Sequence, residues 1–219
     1  MGREPGEKRI FTDSRAELLP VLTQCVAGGK DLWIFAYGSL MWDPGFPSIA
    51  SAPARLRGWH RCFCVYSEVY RGTKEKPGLV LGLDRGGSCR GLAFLVAPAQ
   101  AAAALDYLWE REMSDGIYDL RMVPVELAPP NSAPVRVQAC ALTVRRSHPA
   151  YAGGLGLEET ARLIHEGVGA RGRCRDYLEN TVRHLEALDL TDGTLHLVEG
   201  KVRELAVGTG TERHKFLKP

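Results

Sequence analysis

The 219-residue sequence contains no run of 18 uninterrupted apolar residues, so nothing in it reads as a membrane-spanning helix. It has no block of five or more like charges, and a formal net charge of +2 is too small to suggest nucleic acid as a partner. The opening "MGREPGEKRIFTD" is polar and lacks the apolar stretch of a signal peptide. Gly6 stands where myristoylation would want Ser or Thr. C-x-x-C is also missing. The six cysteines (Cys25, Cys62, Cys64, Cys89, Cys140 and Cys174) show no paired ligand spacing, so no metal is expected. With no secretory segment they read as reduced thiols of a cytoplasmic protein. G-x-S-x-G does not occur, "GGLG" (153–156) does not match G-x-G-x-x-G, and the six histidines are unclustered. A serine-hydrolase elbow, a dinucleotide loop and an organic cofactor are therefore not expected.

What is present is an ordinary globular composition, 45% apolar and 25% charged, in a chain long enough for one sizeable core. Ser14-Arg15-Ala16-Glu17 reads as a capping box opening a helix to about Val26. Residues 31–36 form an apolar, buried strand. Alternation over 55–66 sets Trp59, Phe63 and Val65 against His60, Cys62, Cys64 and Tyr66, which is strand periodicity. "GLVLGLDRGGSCRGLAFLV" (78–96) suggests two strands joined in a hairpin at 84–88. Pro98 opens a helix to about Glu112; strands follow at 118–127 and 134–144, then helices at 157–167, 174–188 and around 195–206. This order predicts an α+β fold, a barrel-like mixed sheet followed by a helical C-terminal part. The expected organisation is an N-terminal helical extension (1–30), a main domain (31–190) and a C-terminal helical tail (191–219).

Two places carry chemistry. In "LDYLWEREMSD", helical spacing puts Glu112 within the apolar stripe of Leu105, Leu108 and Trp109, whereas Asp106 and Glu110 point away. Such a glutamate either reaches solvent and pairs with an arginine such as Arg111 or Arg121, or sits at a pocket floor as a proton acceptor. The second place is the corner Tyr37-Gly38-Ser39-Leu40 that ends the first strand. Its glycine allows close approach of a ligand or a positive φ, and successive N–H groups there can form an anion nest. An ordinary strand-to-loop turn explains the same residues. Arg71, in "YRGTKEKPG", could bind a carboxylate bidentately or could be a solvated loop arginine. Tyr118 could donate to a ligand or simply pack in a sheet.

"WIFAYGSLMWDPGF", "RGWHRCF", "YRGTKEKPGLVLGL", "GLAFLV", "LWEREM…GIYDLRMVPVEL", "HPAYAGG" and "RDYLENT", in this order, closely resemble the ChaC family of glutathione-specific γ-glutamylcyclotransferases. The likeness runs from about Trp33 to Leu188. It implies the γ-glutamylcyclotransferase fold, a small mixed β-barrel flanked by helices with a pocket at the barrel mouth. It also implies cleavage of glutathione to 5-oxoproline and Cys-Gly without metal or cofactor. The family's substrate loop carries over to Tyr37, Gly38, Ser39 and Leu40, its catalytic glutamate to Glu112, and its downstream tyrosine to Tyr118. Cys174 stands where members often have Asn. Other γ-glutamyl compounds as substrates, or a non-catalytic regulatory role, are the alternatives.

Overall fold

The computed structural model describes residues 31–128 and 133–215, without the side chains of 208–215. The capping-box helix and the extension 1–30 lie outside the described residues. Five strands close a barrel: β1 (Leu32–Ala36), β2 (Ala50–Ser67), β3 (Gly78–Val96), β4 (Tyr118–Leu127) and β5 (Val135–Val144). Their order is β1-β3-β2-β4-β5, and the barrel closes through β5 and β1. That closing pair is parallel, with Phe35 opposite Ala141, while β1/β3, β2/β4 and β4/β5 are antiparallel. The expected α+β class with a mixed barrel is the observed one.

Compactness divides the described chain into two units, 31–61 with 83–149, and 62–82 with 150–215. In the first, β1 is buried on both faces because "LWIFA" sits between two neighbours and under covering elements. Beside its end, Gly91 of β3 is a necessity: a Cβ there would strike the Ala36 carbonyl oxygen. Helix α1 (Pro98–Leu108) starts with proline in its first turn, where the missing N–H costs nothing, and buries Ala101, Ala104, Leu105 and Leu108. The Tyr118↔Val144 to Leu127↔Val135 ladder then completes the wall.

The hairpin expected at 84–88 does not form. β3 runs unbroken from Gly78 to Val96, bending where Gly86 (φ 106°) and Gly87 (φ 66°) take conformations other residues avoid. The cause is tertiary. The long neighbour β2 runs alongside, with His60 Nδ1 3.2 Å from the Gly86 carbonyl oxygen, and buried Asp84 accepts from Arg146 Nε at 2.6 Å as well as from the Arg85 N–H at 2.8 Å.

In the second unit, α2 (Leu157–Glu166), the short ribbon β6–β7 (Val168–Gly169, Gly172–Arg173), α3 (Cys174–Ala187) and α4 (Gly193–Lys215) follow one another. Helix α4 is longer than the 195–206 expected and packs on both α2 and α3. Lys201 Nζ reaches Glu158 of α2 at 2.9 Å. No helix among the described residues is long and apolar enough to cross a membrane.

Candidate active site

Helix α1 does not continue as an α-helix to Glu112. After Leu108 the chain widens into a π-turn, Trp109–Met113, in which each residue meets the one five positions on. The buried position after Leu108 is therefore Met113, not Glu112. Helical spacing at 100° per residue put the glutamate on the core stripe; the inserted residue rotates it to the margin, where its side chain is 24% exposed.

At that margin Glu112 pairs with Arg111, whose Nε donates to Oε1 at 2.9 Å. The same guanidinium reaches three other groups. Nη1 donates to the Tyr107 hydroxyl (2.9 Å) and the Asp43 carbonyl (2.7 Å), and Nη2 donates to Ser39 Oγ (3.1 Å). The Asp43 carboxylate adds an ion pair at 3.5 Å. Burial alone would lower the pKa of Arg111, but Tyr107, Glu112 and Asp43 together hold it above its ordinary value. One planar cation thus joins the glutamate of the π-turn to the serine of the Tyr37–Leu40 corner, and pairs with Glu112 as a carboxylate, the form able to take a proton.

The corner itself is the start of a single 3₁₀ turn, Ser39–Met41, closed by Met41 N–H to Gly38 O (2.9 Å) and Asp43 N–H to Ser39 O (2.9 Å). The N–H groups of Ser39 and Leu40 precede its first bond, where a helical turn offers no internal acceptor. Gly38 has φ −133°, so of the two uses expected for this glycine the positive φ is not taken. Tyr37 and Leu40 are buried. The Tyr37 carbonyl accepts from Arg61 Nε, and Arg61 Nη2 donates to the Arg90 carbonyl. Arg61, 3% exposed, therefore ties the end of β1 to β3 from inside the protein.

Tyr118 opens β4 five residues after the π-turn, buried and paired with Val144 across the ladder. Arg71 belongs to the second unit. There Nη1 donates to the carbonyls of Arg171 (2.7 Å) and Arg173 (3.3 Å), and its guanidinium lies 5.2 Å over the Tyr177 ring. Cys174 is in that unit too. Its thiol donates to Leu79 O (2.9 Å) and accepts from Leu79 N–H (3.3 Å), and burial pushes its pKa up to about 11. A buried, doubly bonded thiol of that kind is a structural group rather than a nucleophile.

The structure therefore brings Ser39 and Glu112 together through Arg111, with Tyr107 and Asp43 as further partners of the same cation. In the sequence, Arg111 stands only as a possible charge partner of Glu112, and Tyr107 and Arg61 are not among the expected site residues. A signal existed for each. Tyr107 and Arg111 are spaced i, i+4 on one helical face, and Arg61 falls in phase with Trp59, Phe63 and Val65, a charge on an apolar strand face.

The family model for ChaC-like proteins matches residues 32–205. The chain is 31% identical over 193 residues to the glutathione-specific gamma-glutamylcyclotransferase of Escherichia coli K12, covering 88% of this chain and 82% of that one. It is 36% identical over 155 residues to glutathione-specific gamma-glutamylcyclotransferase 1 of Danio rerio, covering 70% and 78%. A crystal structure of the yeast gamma-glutamyl cyclotransferase specific to glutathione superposes with a TM-score of 0.72 at 21% identity, over 80% of this chain and 96% of that one. The last likeness is one of fold.

Proposed function

Because the chain belongs to the family of ChaC-like proteins, we propose that it cleaves glutathione into 5-oxoproline and Cys-Gly, with Glu112 as its acid–base group. The observation that carries this reading is the Arg111 bridge, which puts a paired carboxylate and an N–H-bearing corner at one locus. The γ-glutamyl group carries its own nucleophile. Its α-amine attacks its γ-carbonyl, a five-membered ring closes, and the cysteinyl amine leaves. Ring closure within one molecule profits from a large effective concentration, so the protein's task is to hold the chain folded back.

Glu112 takes the proton from the α-ammonium group and delivers one to the departing amine. The Ser39 and Leu40 N–H groups hold the substrate's α-carboxylate or the oxyanion that grows at the γ-carbon. Ser39 Oγ already accepts from Arg111, which leaves its own hydroxyl proton to be donated outward. Because a guanidinium cannot take a proton, this contact does not activate Ser39 as a nucleophile. Tyr37 and Tyr118 wall the pocket. Arg71 belongs to the second unit and takes no step here; its Nη1 donates to the Arg171 and Arg173 carbonyls. The proposed setting is the cytoplasm, in keeping with the five described cysteines, all free.

The test is Glu112→Gln with glutathione, measuring 5-oxoproline release. The variant keeps shape and loses the base, so turnover falls about 10²–10⁴-fold while the protein stays folded. Wild-type kcat in that variant would remove Glu112 from the mechanism. Parallel assays with γ-glutamyl-alanine and γ-glutamyl-ε-lysine test the substrate: turnover of the last alone would refute glutathione.

A further inference from the structure

On the outer wall of the barrel, in the first unit, lies a cavity of about 270 Å³ lined by Trp59, Arg85, Asp119, Arg121, Arg145 and Arg146, with Val144 and Ser147. It is a different surface from the candidate active site. Strand alternation turns Asp119 and Arg121 to the face of β4 opposite Tyr118 and Leu120. None of Ser39, Arg111 or Glu112 lines the cavity.

Its charges are ordered by depth. Asp119 holds two arginines, accepting from Arg145 Nη2 at 2.6 Å and from Arg121 Nη2 at 3.1 Å. Asp84, which is buried and does not line the cavity, holds Arg146 Nε at 2.6 Å. The two carboxylates are sunk, at 17% and 8% exposure, while Arg121 and Arg146 stand at 44% and 50%. The acids orient the arginines without covering them. Four guanidiniums and one carboxylate line the cavity. Arg85 has no carboxylate partner among the described residues, and its guanidinium lies 5.8 Å over the Trp59 ring. Arg121 gives Nε to Thr143 Oγ1 and Nη2 to Asp119, which leaves Nη1 for a ligand. Ser147 adds a hydroxyl at the rim.

The geometry points to a second ligand site, for a small organic phosphate. A monoester is close to a dianion at neutral pH and concentrates that charge on three oxygens, which suits guanidinium forks converging on one locus. A dicarboxylate would spread the same charge over two ends. The volume sits near the lower limit of small-molecule pockets, and the Trp59 face, already cation-stacked, offers a flat surface for the body of the ester.

Isothermal titration of the full chain at fixed ionic strength, with ribose 5-phosphate, AMP and inorganic phosphate as separate probes, tests this. Saturable binding of an ester, weakened at least tenfold in Arg85→Glu and in Arg121→Gln, supports the site. Equal affinity for inorganic phosphate also supports it, with free phosphate as occupant. Arg85 is exposed and makes no ion pair among the described residues, so its reversal leaves the fold intact, which unchanged thermal unfolding verifies. No saturable heat with any probe at 10 mM (roughly the weak limit of specific small-ligand binding), or equal affinity in wild type and both variants, overturns the proposal.

Discussion

Replacing Arg111 tests whether the bridge positions the glutamate or merely decorates the surface. Its guanidinium places Nε on Glu112 and Nη2 on Ser39, two nitrogens in one rigid plane. Arg111→Lys keeps the charge but brings all its donors to a single nitrogen, which cannot hold both contacts. Hydrogen bonds to charged groups contribute about 1.5–3 kcal/mol each. Arg111 and Glu112 are 18% and 24% exposed, so the lower figure applies. Loss of one such contact at about 1.4 kcal/mol per factor of ten predicts a roughly tenfold fall in kcat for 5-oxoproline release, with KM nearly unchanged. Arg111→Gln makes the complementary change, keeping a planar donor and losing the charge. Since Glu112 is among the groups that hold Arg111 above its ordinary pKa, the coupling is reciprocal. Without the cation, the carboxylate takes up its proton more readily. The acid limb of the kcat–pH profile accordingly moves to higher pH in Arg111→Gln and stays in place in Arg111→Lys. A structural role alone would lower unfolding temperature in both and move neither limb. Both variants within twofold of wild-type kcat, with unmoved profiles, would refute the positioning argument.

Gly91→Ala forces a methyl group against the Ala36 carbonyl and destabilises the protein by about 1–3 kcal/mol; denaturant unfolding measures it, and an unchanged midpoint would contradict the close approach. Native Cys174, its pKa near 11, stays unlabelled by a thiol reagent at pH 8 and reacts once the protein is unfolded. Cys174→Ala strands the Leu79 main-chain groups, at about 1–3 kcal/mol by the same unfolding assay. Arg71→Ala raises KM for glutathione with kcat retained if Arg71 reads a substrate carboxylate; a drop in stability at constant KM assigns it to bracing Arg171 and Arg173 instead.

Much of the fold was written locally. β4, β5, α2 and α3 lie within a residue or so of where alternation and helical spacing place them, since each combines a consistent period with an apolar face to bury. The hairpin at 84–88 failed because glycine-rich turn chemistry is a weak local preference, and β2 lying alongside together with Arg146 outweighed it.

The family motifs marked Glu112 and the Tyr37–Leu40 corner by residue type alone. Where those groups point was settled by folding. No periodicity foretells a π-turn, because its single inserted residue is stabilised by what packs around it, here Met113 in the core and Arg111 among Asp43, Tyr107 and Ser39. The sequence alone determined which chemistry the chain carries. Tertiary structure decided which side of the helix presents it, because contacts between residues 72 positions apart exist only after the barrel has closed.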